Sequence, residues 1–159
     1  MSAGYRLSTM RLILFVIALV VGPAQGWAQT TTLLQPFSFG TIAIRSNAAV
    51  ERLVLNLNGT YTTTSNIIAI APPQRAEFLA TGFQASTALN LSIANIVLSE
   101  DGNGSGKTFN VAFVYLSDIS TDATGSATIF VAGTLVTSGN GVPYDDRPYF
   151  GMASLIVNY

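Results

Sequence analysis

The chain has 159 residues with no cysteine and no histidine, and only 9% of its residues are charged. Lack of histidine removes the commonest general base and the commonest metal ligand at neutral pH, and lack of cysteine removes a disulfide framework and a lipid-modified N-terminal cysteine. The formal net charge is −1 and the basic residues are scattered, which argues against nucleic acid or an anionic membrane as a partner.

The first element reads as an export signal. Arg6 and Arg11 give a positive start, and Leu12 to Val21 is an unbroken apolar run. Gly22-Pro23 breaks it, and Gly26-Trp27-Ala28 places small residues where a signal peptidase reads them. A spanning helix needs roughly 20 apolar residues, about twice this run. The expectation is a cleavable signal peptide over 1–28, cut between Ala28 and Gln29, with no integral membrane span after cleavage. Arg6 and Arg11 leave with it, so the mature 131 residues carry five basic and eight acidic side chains, a net charge of −3. That length suits one domain with a full core.

Gln29 to Leu34 is expected to be a flexible N-terminal extension, because it opens the mature chain with a threonine run. The rest, 35–159, reads as short β-strands. Phe37 to Ile44 alternates, with Phe37, Phe39, Thr41 and Ala43 on one face. Val50 to Leu57 alternates more clearly, with Glu51, Leu53, Leu55 and Leu57 opposing Val50, Arg52, Val54 and Asn56. Asn58-Gly59 is a strong hairpin turn signal. Further strands are expected at Tyr61–Thr64, Ile67–Ala71, Ala76–Gly82, Ala88–Ile93, Ile96–Leu98, Thr108–Leu116 and Ala127–Val136. Pro72-Pro73 ends the second of these. Asn140-Gly141-Val142-Pro143 turns the chain into a closing strand from Tyr149 to Tyr159. One face of that strand carries Tyr149, Gly151, Ala153, Leu155, Val157 and Tyr159. No segment shows a sustained helical period. Many short strands without helical crossovers predict an all-β fold, a single antiparallel sandwich.

Few constellations point to chemistry. Gly102 to Thr108 ends in Gly-Lys-Thr like a phosphate-binding loop, but Asp101 stands where the first glycine belongs, and an alternating strand follows instead of a helix. The same loop offers oxygen ligands at alternate positions, Asp101, Asn103 and Ser105, a weak calcium candidate. The closing bidentate glutamate of such a loop falls on Ala112. No other metal, cofactor or catalytic set is expected. Serine has no histidine to activate it, and paired carboxylates for glycoside hydrolysis must come from only eight acidic residues. Tyr61, Tyr115, Tyr144, Tyr149 and Tyr159 are candidates for contacting a sugar or a surface if exposed.

Three stretches taken together resemble a bacterial family of exported domains, domain-of-unknown-function family 4402. They are Phe37-Ser38-Phe39-Gly40-Thr41-Ile42, Val131-Ala132-Gly133-Thr134-Leu135, and Tyr149-Phe150-Gly151 running on to Tyr159. The matching positions are Phe39, Gly40, Gly133, Leu135, Tyr149, Gly151 and Tyr159, with Ala132 in place of the family's first glycine. The resemblance spans positions 34 to 159. It implies an immunoglobulin-like β-sandwich with no established catalytic residues. More distantly, the Phe-Gly first strand and the aromatic-ended last strand resemble archaic chaperone–usher pilins and spore coat protein U domains. That likeness implies partners joined by β-strand addition, either further copies or other surface subunits, and a periplasmic chaperone. The expected function is therefore an exported, non-enzymatic structural protein, a pilin-like subunit of a surface filament or cell-surface layer of a Gram-negative bacterium. The alternative is a soluble periplasmic or secreted module that binds glycan or protein.

Overall fold

A computed structural model describes residues 28–104 and 106–159. Residues 1–27, which hold all but the last residue of the expected signal peptide, and Ser105 lie outside the described residues. Among the described residues there are twelve strands: β1 Thr30–Gln35, β2 Thr41–Ile44, β3 Arg52–Leu55, β4 Tyr61–Thr63, β5 Ile67–Ala71, β6 Ala76–Thr81, β7 Ala88–Ile93, β8 Ile96–Ser99, β9 Thr108–Tyr115, β10 Asp118–Ser120, β11 Ala127–Val136 and β12 Leu155–Asn158. All pairings are antiparallel and no helix occurs among the described residues.

The main sheet is organised around β11. Its first half, Ala127–Val131, pairs with β6, and its second half, Gly133–Val136, pairs with β3. Val131–Val136 pairs with β9 on the opposite edge. Thus β3 and β6 lie end to end along one side of β11, and the chain between them leaves to build β4 and β5. The Arg75 guanidinium donates to the Leu57 carbonyl and ties the two ends of that excursion together. Beyond these, β1 flanks β6, β4 flanks β3 and β8 flanks β9.

Two small sheets lie over this one, β2-β5 and β10-β7-β12. Alternation puts the apolar faces inward. Leu53, Leu55, Phe109, Val111 and Leu135 meet Phe39 and Ile67 in one core cluster, with Ile42 and Ile44 against it. Ala76, Ala80, Ile129 and Val131 meet Phe83, Leu89 and Leu91 in a second, with Leu155 and Val157 against it. Phe37 and Phe113 touch both clusters. Burying each large aliphatic side chain stabilises the fold by roughly 1.5–3 kcal/mol before entropy is charged.

Several strand expectations match the observed bounds, and three need correction. The extension expected to be flexible, Gln29 to Leu34, forms most of β1, paired from Thr30 opposite Thr81 to Gln35 opposite Glu77. Threonine suits a strand, and β6 offered it a free edge. The strand expected over Phe37–Ile44 is not one uninterrupted alternation. Phe37 and Phe39 face the core, then Ile42 and Ile44 do. The slip occurs at Gly40, where φ is +72° and a side chain would bring its Cβ to 2.2 Å from the Ala71 carbonyl oxygen. Only glycine adopts that conformation at so close an approach. The closing strand is likewise divided: Phe150 bridges to Ser99, Gly151–Ser154 pairs with nothing, and only Leu155–Asn158 joins β7. Its in-out pattern lapses at the break: Tyr149, Gly151, Leu155 and Val157 are half-buried, but Ala153 and Tyr159 of the same expected face are exposed.

Candidate functional site: a cleft between the first and last strands

Thr30–Ile44 and Ile67–Thr81 form one long antiparallel ribbon. β1 pairs with β6, Ser38 bridges to Gln74 and β2 pairs with β5, with irregularities at Leu33/Gln35 and Thr41/Ile42. The far edge of the stretch from Phe37 to Ile44 has no strand beside it. The Arg45 N–H donates to Asn66 across the β2-β5 pair at 2.9 Å. By alternation, the N–H and C=O groups of Ile42 and Ile44 therefore point away from β5.

The other wall is the end of the chain. The Phe150 N–H donates to Ser99 at 3.0 Å and its carbonyl accepts from Ser99 at 3.1 Å, so this residue faces β8. By the same alternation the polar backbone groups of Gly151 and Ala153 point away from β8. Among the described residues, Gly151–Ser154 makes no backbone hydrogen bond. Between the two walls runs a cleft in two sections of about 720 and about 500 Å³, which share Phe39, Gly40, Leu98 and Tyr149. The first section takes in Ile42 and Ile44 on one wall and Tyr144 to Tyr149 on the other. The second takes in Leu33 and Phe37 opposite Phe150 to Leu155. The walls are thus antiparallel to each other. The floor is apolar and belongs to the main sheet: Leu135 and Phe109 in one section, Val111, Phe113 and Val131 in the other.

One end of the cleft is fixed by an aromatic and ionic cluster. Tyr144 stacks on Phe109 with ring centroids 4.0 Å apart, and Tyr149 meets Phe109 edge-on at 5.0 Å. The Tyr144 hydroxyl donates to the Thr108 carbonyl at 2.9 Å and accepts from the Ser138 N–H at 2.9 Å. The Tyr149 hydroxyl donates to Glu100 at 3.1 Å and accepts from the Asp145 N–H at 3.2 Å. Burial, with Glu100 close by, pushes the Tyr149 phenol up. Lys107 contacts Asp145 at 2.6 Å, and Arg147 approaches Glu100 at 3.8 Å. The Lys107 hydrogen bond holds the Asp145 carboxyl below its ordinary range. Glu100 and Asp145 both contact the Tyr149 hydroxyl, Glu100 through its carboxylate and Asp145 through its backbone N–H.

The sequence-derived candidates fall as follows. Phe39 is core, Gly40 sets the slip in the first wall, and Leu135 is floor. Gly133 lets β11 lie close to β9, since an added Cβ would stand 2.9 Å from the Ala112 carbonyl oxygen. Gly151 lets the last strand lie against β8, since a Cβ there would stand 2.7 Å from the Val97 carbonyl oxygen. Tyr159 packs edge-on against Phe83 at 5.3 Å. Most of these motif positions therefore build or border the cleft, while Tyr159 sits at the far end of the last strand. Ala28 lies against Gly82 at the start of β1. In the glycine-rich loop, Asp101 accepts from the Ser99 hydroxyl at 2.5 Å and from the Asn103 N–H at 2.9 Å, closing a turn. Among the described residues no three acidic side chains gather as a metal cluster. Of the tyrosines, Tyr61 and Tyr159 are exposed, Tyr115 lies against the second core cluster, and Tyr144 and Tyr149 are engaged as above.

Asn47 escaped the sequence reading. It is buried, and its amide donates to Ser138, Asn140 and Val142 at 2.8–3.0 Å while its carbonyl oxygen accepts from the Gly139 N–H at 2.9 Å. One side chain thus holds the loop that delivers Tyr144 to the cleft. Nothing in the neighbouring residues marks this asparagine, because its partners lie about 90 positions later. No family model, curated protein or solved structure matches the chain.

Proposed function

We propose that this chain is an exported, non-enzymatic structural protein, a pilin-like subunit of a surface filament or cell-surface layer, joined to its neighbour by a β-strand added in the cleft. On this reading the sandwich is immunoglobulin-like, with the position between its first and last strands left open. One observation carries the proposal. The layer over the main sheet is split into two small sheets, and the cleft between them has unpaired backbone along Phe37–Ile44 on one wall and at Gly151–Ser154 further along the other, above an apolar floor. A single strand laid there would join β2-β5 to β12-β7-β10 and satisfy both edges at once, as strand addition does elsewhere. Exposed edges of this kind are liabilities that folded proteins otherwise cover. The same reading includes a periplasmic chaperone that shields the cleft before assembly.

The test is electron microscopy of cells with and without the gene, together with the size of the protein extracted from the cell surface. Loss of a filament or surface layer in the deletion strain, restored by the gene, is the expected outcome. Identical surfaces, with the extracted protein a free monomer, would sink the proposal.

A further inference from the structure

Three Asn-Gly pairs stand in exposed loops: Asn58-Gly59, Asn103-Gly104 and Asn140-Gly141. In this dipeptide the glycine nitrogen can attack the asparagine carboxamide, because no glycine side chain crowds the approach. The step needs a base for the glycine N–H and a carboxamide free to turn toward the nitrogen. The fold treats the three pairs differently on both counts.

All three glycine N–H groups are donated, to acceptors of different kinds. Gly59 donates to the Asn56 carbonyl at 2.9 Å and Gly141 to the Asn47 carbonyl at 2.7 Å. A carbonyl is no base at neutral pH. Gly104 instead donates to the Ser99 hydroxyl at 2.8 Å, and that hydroxyl donates to the Asp101 carboxylate at 2.5 Å. A hydroxyl accepts and donates at once, so the two bonds form a proton path from Gly104 to a carboxylate. Ser99 is fully buried, which keeps water out of that path. The carboxamides differ as well. Asn58 Oδ1 is held by the Thr60 N–H and hydroxyl, and Asn140 Oδ1 by Asn47 and the Val142 N–H. Asn103 is exposed, and among the described residues its carboxamide makes no hydrogen bond.

We propose that Asn103-Gly104 is a self-modification site, a deamidation site whose nucleophile is activated by the Ser99–Asp101 relay. The Gly104 nitrogen bonds to Asn103 Cγ while its proton passes to Ser99 and the Ser99 proton to Asp101. The Cγ–Nδ2 bond breaks, and the amide nitrogen takes that proton and leaves as ammonia, so a cyclic imide remains. Water then opens the ring, its hydroxyl going to carbon and its hydrogen to nitrogen. Opening at Cγ gives aspartate, and opening at the main-chain carbonyl gives isoaspartate. Either product adds a carboxylate close to Asp101, and isoaspartate also lengthens the backbone by a methylene. Gly102 of the same loop lies against the Phe150 ring, 2.5 Å from the position of an added Cβ, and Phe150 lines the cleft. The modification therefore alters the charge and length of a loop that abuts one cleft wall.

The test incubates the purified mature protein at neutral pH, folded and in urea, and follows each pair by peptide mass spectrometry. Electron-transfer fragmentation distinguishes isoaspartate from aspartate. Asn103 should convert at least about tenfold faster in the folded protein than in urea, and Asn58 and Asn140 more slowly than in urea. Ser99→Ala and Asp101→Ala should each slow conversion at Asn103 by about tenfold or more. Asp101 is exposed, so its variant decides the matter if Ser99→Ala lowers the melting temperature. A hydrogen bond that merely held the loop would act in the opposite direction, since breaking it frees the Gly104 nitrogen. Conversion at Asn103 that is unchanged or faster in the variants, or no faster folded than in urea, overturns the proposal.

Discussion

The main sheet and the layer that covers it are both built from antiparallel strands, yet they end differently. In the main sheet β11 has partners on both edges, and its inward residues Ile129, Val131 and Leu135 are 1–2% exposed. In the covering layer the two small sheets stop short of each other, and the cleft lies between them. Side-chain burial is shared by the two layers, since each core cluster joins the main sheet to one of the small sheets. The difference lies in the backbone. A central strand satisfies its N–H and C=O groups on two sides, whereas the wall at Ile42 and Ile44 does so on one and Gly151–Ser154 on neither. Apolar burial is thus enough to seat the covering sheets although the backbone between them is unpaired.

That contrast can be broken or sharpened by experiment, beginning with the largest effect. Leu53→Ala, at a fully buried position of the main sheet, should cost about 2–5 kcal/mol in denaturant unfolding. A loss below about 1 kcal/mol would mean the main sheet is not the stable half. Gly40→Ala forces a strained backbone against the Ala71 carbonyl. It should cost about 2–3 kcal/mol and shift the resonances of Phe39 and Ile42 far more than those of β11. Asn47→Ala strands several loop partners and should cost about 1–3 kcal/mol, with increased exchange confined to Ser138–Tyr144. Lys107→Ala removes an exposed ion pair and should change stability by less than about 1 kcal/mol, with any effect abolished by salt.

Acid offers a further probe. Hydrogen bonds from Thr64 and then Asn66 lower the Glu51 carboxyl, Thr124 and then Ser126 lower Asp122, and Lys107 lowers Asp145. A carboxyl depressed in the folded state binds its proton more readily when unfolded. Its stabilisation is therefore complete above the ordinary values of 4.5 for Glu51 and 3.8 for Asp122 and Asp145, and is lost as pH falls below them. The melting temperature should hold level between pH 7 and 5 and decline below about pH 4. A level profile to pH 2 would mean these hydrogen bonds do not survive in solution.

Much of the strand inventory was legible because period-two patterns are local. Val50–Leu57 and Thr108–Leu116 show their buried faces in the sequence, and Leu53, Leu55, Phe109 and Val111 are core as that pattern predicts. β1 and β10 were missed for opposite reasons. β1 is almost wholly exposed and carries no apolar alternation, and Asp118–Ser120 is three residues long and held by its pairing with β7. The cleft was not legible in either wall alone. Phe37-Ser38-Phe39-Gly40 and Tyr149-Phe150-Gly151 stand about 110 residues apart, and neither says that no strand will come between them.

By itself the sequence determined that the described chain is all-β and antiparallel, where its longer strands lie, and which of their faces are buried. Those properties follow from side-chain alternation and turn chemistry, which act over a few residues. Only the tertiary structure decided that β3 and β6 share one side of β11, that Gly40 reverses the buried face of the first wall, and that the covering layer stays open between Phe37–Ile44 and Gly151–Ser154. Each of these depends on which edges meet across long stretches of chain. An unpaired edge is a property of the assembled sheets, and no residue type encodes it.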